Sequence, residues 1–135
     1  MRLSFAAIVL TSCLATPAFS ADDVTLESVP PVVVSTTPVA GSDTVAATTN
    51  EIRITFSQPM QDNSWSWSTL SKKSFPEVTG EPKYAEDGRT CVLPVKLEPG
   101  RTYAIWANTQ KFTNFRSAGG RSAVPYLLVF KTAAN

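Results

Sequence analysis

Through most of this chain, apolar residues recur at every second position. Ile52-Arg53-Ile54-Thr55-Phe56 is the cleanest instance, with Ile52, Ile54 and Phe56 on one side and Arg53 and Thr55 on the other. Further stretches of strand character are Val32–Thr36, Ser64–Ser68, a short piece around Lys83-Tyr84, Thr90–Leu97, Thr102–Ala107 and Tyr126–Phe130. Nothing in the body of the chain keeps a 3.6-residue period. Proline and glycine fall between the stretches: Pro38 to Gly41 is a turn, and Glu98-Pro99-Gly100-Arg101 suits a type II turn with Gly100 accepting positive φ. Asp87-Gly88 signals a two-residue hairpin of type I′. Pro94 lies inside its stretch and marks an edge or a bulge. About seven short strands joined by turns predict an all-β fold, an antiparallel β-sandwich.

The first twenty residues follow different rules. Arg2 precedes an apolar run from Phe5 to Leu14, Pro17 breaks it, and Ala18 and Ser20 place small residues where a signal peptidase reads them. Residues 1–20 are therefore expected to be a secretory signal peptide, residues 21–29 a flexible leader, and residues 30–135 the sandwich domain. The apolar run is too short for a transmembrane span, which takes about 20 residues. Leu10-Thr11-Ser12-Cys13 also resembles a lipobox, so a lipid anchor at Cys13 stands as the alternative to a soluble periplasmic or secreted form. Without the signal, roughly 115 residues remain, enough for one domain with a real core. The full chain carries 12 basic and 11 acidic residues, and with Arg2 removed the charges balance. No basic stripe is present, which argues against nucleic acid as a partner. Cys91 then has no partner in the mature chain. It is a buried thiol or an intermolecular bridge, and sharing a face with Leu93, Val95 and Leu97 favours burial.

Several of these positions also form a pattern. Pro38-x-x-Gly41, Ile52-x-Ile54-x-Phe56-Ser57-x-Pro59-Met60, Leu97-x-Pro99-Gly100-x-x-Tyr103 and the closing Phe130-Lys131-Thr132 resemble the bacterial Ig-like domain of the SbsA type. The resemblance covers nearly all of the mature chain and implies a module of exported and cell-surface proteins, serving as spacer, adhesion unit or binding unit. A more distant resemblance, to periplasmic copper-binding sandwiches of the CopC type, implies the shape alone. Their histidine and methionine ligands are missing: the chain has no histidine, and Met60 is the one methionine left after cleavage.

The absence of histidine also excludes Ser-His-Asp and Cys-His catalysis and histidine-ligated zinc. Glu77, Glu81, Glu86, Asp87 and Glu98 are scattered through predicted loops, with no spacing that pairs two carboxyls across a cleft. No calcium-loop pattern occurs. The expectation is a non-enzyme without metal or cofactor. Recognition would fall to aromatic residues. In the predicted phase of Thr102–Ala107, Tyr103, Ile105 and Ala107 face the core while Ala104, Trp106 and Asn108 face out. Leu127 and Val129 then point outward beside Trp106, forming an apolar patch unless the Asn108–Ala123 loop, with Phe112 and Phe115, folds over it. The long connection from Asn108 to Ala123 adds Lys111, Asn114 and Arg116 among aromatic residues. Trp65 and Trp67 share a face and offer a second candidate, a platform for sugar rings, unless they pack in the core. The chain thus reads as a non-catalytic binding or structural module of the cell envelope. Its partner would be an envelope or surface protein met through Trp106, Asn108, Lys111, Asn114, Arg116, Leu127 and Val129. The alternative is a glycan bound on Trp65 and Trp67.

Overall fold

The structure, a computed structural model, describes residues 11–15 and 23–135. The expected signal peptide, apart from residues 11–15, lies outside the described residues. No described helix is long and apolar enough to cross a membrane.

Eight strands form two antiparallel sheets. They are β1 (Val33–Thr37), β2 (Glu51–Phe56), β3 (Trp67–Thr69), β4 (Glu77–Val78), β5 (Lys83–Tyr84), β6 (Thr90–Lys96), β7 (Thr102–Ala107) and β8 (Tyr126–Lys131). One sheet runs β1-β2-β6-β4 with β5 also paired to β6, and the other runs β3-β7-β8. This is the antiparallel sandwich expected from the alternation, and it agrees with the Ig-like β-sandwich that the family resemblance implies. Its inner face is the predicted one: Ile52 and Ile54 are 0% exposed and Phe56 is 1% exposed. Each such side chain contributes about 1.5–3 kcal/mol by leaving water.

The core has two halves. One gathers Ile52, Leu93, Val95, Leu97, Tyr103, Ile105, Leu128 and Phe130 with Val45. The other gathers Ile54, Phe56, Met60, Cys91, Ala107, Phe115 and Ala123. Trp67 and Tyr126 pack against both. After the turn at Gly41, where φ is +81°, residues 41–45 run along the outer edge of β8. Gly41 N–H donates to Val129 O and Lys131 N–H to Ser42 O, which covers backbone groups an open edge would expose.

Five local expectations change. The strand expected from Ser64 begins only at Trp67, and β4 forms inside a stretch read as loop. Pro94 does not put β6 at an edge: β6 pairs with β2 on one side and with β4 and β5 on the other. Val95 N–H points toward β2 and donates to Asn50 O, so the missing N–H of Pro94 falls on the opposite side. There the partner strand is interrupted into β4 and β5, and Gly80 passes so near that a Cβ would lie 3.3 Å from Pro94 Cγ. At the Asp87-Gly88 turn only Gly88 has positive φ, so the turn is not type I′. Asp87 Oδ1 accepts from the N–H groups of Arg89 and Thr90, and Oδ2 accepts from the Thr90 hydroxyl. The hydrogen bond to Arg89 is the main reason the Asp87 carboxyl is held below its usual pKa. Finally, buried Gln58 donates to the carbonyls of Leu26 and Val29, so the domain's contacts reach into the stretch read as leader.

Candidate functional site

Most of the candidate residues lie around the connection from β7 to β8; Val129 stands farther along β8, opposite Ala104. The conformation of the connection is set by Asn108, the first residue past β7, which adopts φ +58°. Asparagine tolerates this region better than most residues. Asn108 was expected to face solvent as a contact residue, but it is 0% exposed. The alternation that would have pointed it outward ends where the chain leaves the sheet. Its Oδ1 accepts from Phe115 N–H at 2.9 Å, and its Nδ2 donates to Phe115 O and Ala123 O at 2.9 and 3.1 Å. Three inward-turned backbone groups thus find partners on one amide side chain, and Asn108 holds the loop rather than touching a ligand.

Phe115, fixed in this way, fills the core. Its ring lies 5.1 Å from that of Phe56 and 5.3 Å from Trp67, edge-on to the indole. Phe112 goes the other way and is 50% exposed. The turn carrying it is closed by Thr109, whose N–H donates to Phe112 O and whose hydroxyl accepts from Phe112 N–H. Lys111 Nζ sits 5.4 Å from the Phe112 ring centroid. Asn114 is held by its backbone: its N–H donates to Ser66 Oγ, and its carbonyl accepts from the Ser64 hydroxyl. Arg116 is half-buried and donates to Thr113 O, which commits it to the loop.

This loop tip separates two depressions. The larger, about 830 Å³, opens between β3 and the β4–β6 part of the opposite sheet. Trp65, Trp67, Phe75 and Phe112 supply its aromatic lining, Val78, Pro82 and Leu93 its aliphatic lining, and Ser68, Thr69, Lys111 and Asn114 much of its polar lining. The smaller, about 520 Å³, is formed by Trp106, Thr109, Gln110, Lys111 and Pro125. Trp106 stands opposite Leu127 in the β7–β8 register and is half-buried; Leu127 is half-buried and Val129 is 37% exposed. Of the outward positions predicted on β7, Ala104 is instead buried at 5% exposure.

Trp65 and Trp67 do share a face, but they differ in role. Trp67 packs on both halves of the core and its indole nitrogen is buried without a hydrogen-bond partner. That N–H acts on the thiol of Cys91, a weak acceptor, without reaching hydrogen-bond geometry. Burial pushes the Cys91 thiol up to about 12, and the indole only partly opposes this. Trp65 packs on one half of the core and keeps partial exposure. Behind it, Tyr84 donates to Ser64 O, and burial, then Cys91 and Asp62, raise the pKa of its hydroxyl.

The charged groups are sparse here. The ion pairs among the described residues are Arg53–Glu51 and Arg101–Glu98, and neither includes a residue lining the depressions. Lys111 is the one charged residue in either lining. Among the described residues no group of three or more His, Cys, Asp or Glu is placed to hold a metal ion. Sequence reasoning did not place Phe112, Gln110 or Pro125 among the candidate site residues. An aromatic next to Lys111 in a polar loop was the available signal for Phe112, and a proline two residues before Leu127 the signal for Pro125.

Two sheets with this strand order, and a buried tyrosine hydroxyl closing the corner before β7, define an Ig-like sandwich. The bacterial Ig-like domain family matches residues 27–132, and the chain belongs to that family. Among solved structures it is similar to the S-layer protein rSbsC, with a TM-score of 0.50 and 15% sequence identity. That match covers 79% of this chain and only 14% of the other, and it speaks to the fold. The comparison with curated proteins found no match.

Proposed function

We propose that the protein is an exported, non-catalytic binding or structural module of the bacterial cell envelope, periplasmic or secreted, that meets an envelope protein through the Trp106 face. The observation that carries this reading is the position of Trp106. It lies on the outward side of a rigid three-stranded sheet, paired with Leu127, beside exposed Val129 and a depression edged by Lys111. Aromatic anchors in such settings supply much of the energy of protein contacts. Membership of a bacterial Ig-like family and likeness to an S-layer protein agree with a surface role. The non-catalytic part of this reading is supported by membership of the bacterial Ig-like domain family.

The test is affinity capture from envelope extract using the wild type and Trp106→Ala. One envelope protein should be retained by the wild type and lost with the variant. Equal retention by both would remove the Trp106 face from the reading. Fractionation of the wild type against Cys13→Ser separates the two export forms, since a lipid anchor would leave only the wild type in the membrane fraction.

A further inference from the structure

We infer that the cleft between β3 and the β4–β6 part of the opposite sheet is a binding site for an acidic oligosaccharide. The cleft shares Thr109 and Lys111 with the depression at Trp106 but does not include Trp106 itself, and the inference does not rest on the Trp106 face. Five observations converge. The cleft's volume of about 830 Å³ lies within the range of roughly 300–1,000 Å³ typical of ligand pockets. Its aromatic residues offer flat apolar surface, chiefly half-exposed Phe112 and partly exposed Trp65. Sugar rings stack on such surfaces through their C–H faces.

The polar lining is the second half of the match. Among the described residues the side chains of Ser68, Thr69 and Asn114 make no hydrogen bond, which leaves them available to ring hydroxyls. A purely apolar ligand would leave them dry and unpaired, at a cost in affinity. Charge then selects among sugars. Among the described residues Lys111 forms no salt bridge, and no carboxylate lines the cleft. An anionic group beside Lys111 would find a cation with no acidic competitor. The loop that presents Lys111, Phe112 and Asn114 is anchored from beneath by Asn108 and Phe115, so less ordering entropy is lost on binding.

The competing occupant is an extended peptide added to the edge of β3. That strand offers only three residues, Trp67–Thr69, a short template for main-chain pairing. The observations favour the sugar.

The experiment is titration of the purified protein, followed by tryptophan fluorescence and calorimetry, with oligogalacturonate, alginate and heparin oligosaccharides and neutral cello-oligosaccharides. At least one acidic glycan should bind, more weakly as salt rises. Phe112→Ala should weaken that binding roughly tenfold or more. Half-exposed Phe112 can be removed without unfolding the protein, which keeps the test sound if Trp65→Ala folds poorly. Lys111→Gln should erase the preference for acidic over neutral chains. Trp106→Ala should leave sugar binding unchanged, which separates this site from the protein-partner reading. Binding of none of the acidic glycans, equal binding of neutral ones, full affinity in Phe112→Ala, or competition by an unrelated extended peptide would each overturn the inference.

Discussion

β7 is held at both ends by a buried polar side chain, and the two ends do different things. At its start, the Tyr103 hydroxyl accepts from Glu98 N–H at 2.8 Å, and Thr132, fully buried, accepts from Arg101 N–H and donates to Glu98 O. The turn between them is short, Gly100 takes φ +65°, and neither depression reaches it. At its end, Asn108 anchors a long connection whose tip stands off the sandwich and lines both depressions. The core divides the same way, with Tyr103 in one half and Phe115 and Cys91 in the other. Satisfied buried polar groups therefore close the fold at one end and hold an exposed loop in a fixed shape at the other.

The largest expected effect tests that asymmetry directly. Asn108→Ala removes the partners of three buried backbone groups and places alanine at φ +58°. The loss of stability should be about 3 kcal/mol, read by urea denaturation. Asn108→Gly should recover the backbone term alone. If Asn108→Ala costs less than 1 kcal/mol, the loop is not anchored where the geometry places its anchor.

Cys91 reports on the same half of the core through pH. Its thiol titrates near 9.0 in an ordinary setting and is pushed up to about 12 by burial. Between those values the unfolded chain has released the proton while the folded one still binds it. Stability from this group is thus complete below about 9 and falls as pH rises, by at most about 1.4 kcal/mol per pH unit. Cys91→Ala should lose part of the alkaline decline seen in the wild type. Identical alkaline slopes in the two proteins would mean that the thiol meets water.

At the other end the effect should be smaller. Tyr103→Phe keeps the ring, stacked 5.5 Å from Phe130, and removes only the acceptor for Glu98 N–H. Glu98 is exposed, so water can replace the lost partner, and the cost should be about 1 kcal/mol by thermal or urea unfolding. A cost equal to that of Asn108→Ala would erase the distinction between the two ends.

What the sequence made legible follows the same division. The strands that bury one face had to alternate, so Ile52–Phe56, Thr102–Ala107 and Tyr126–Phe130 were readable with the right face inward. The Pro99-Gly100 turn was readable because its chemistry is local. Pro94 was misplaced because a proline's own residue is local while the neighbour that loses a hydrogen bond is not: β4 and β5 decide it. Asn108 was misread because alternation was extended one residue past the sheet. The aromatic and polar candidates Trp65, Trp67, Trp106, Lys111 and Asn114 do gather at one end. Their division into two depressions was hidden, since the larger is assembled from residues 65–69, 75–82, 93 and 109–114, far apart along the chain.

The smallest expected effect is the sharpest test of the loop's role. Phe112 and Phe115 are three residues apart in one loop, yet Phe115 is fully buried between Phe56 and Trp67 while Phe112 is half-exposed beside Lys111. A ring that folding does not bury adds little to stability, so Phe112→Ala should change it by no more than about 0.5 kcal/mol. The ring is then free to serve the cleft it lines. A loss of 2 kcal/mol or more in thermal unfolding would show that Phe112 is packing material after all. The exposed loop tip would then belong with the closed corner at Tyr103, as one more way of holding the sandwich shut.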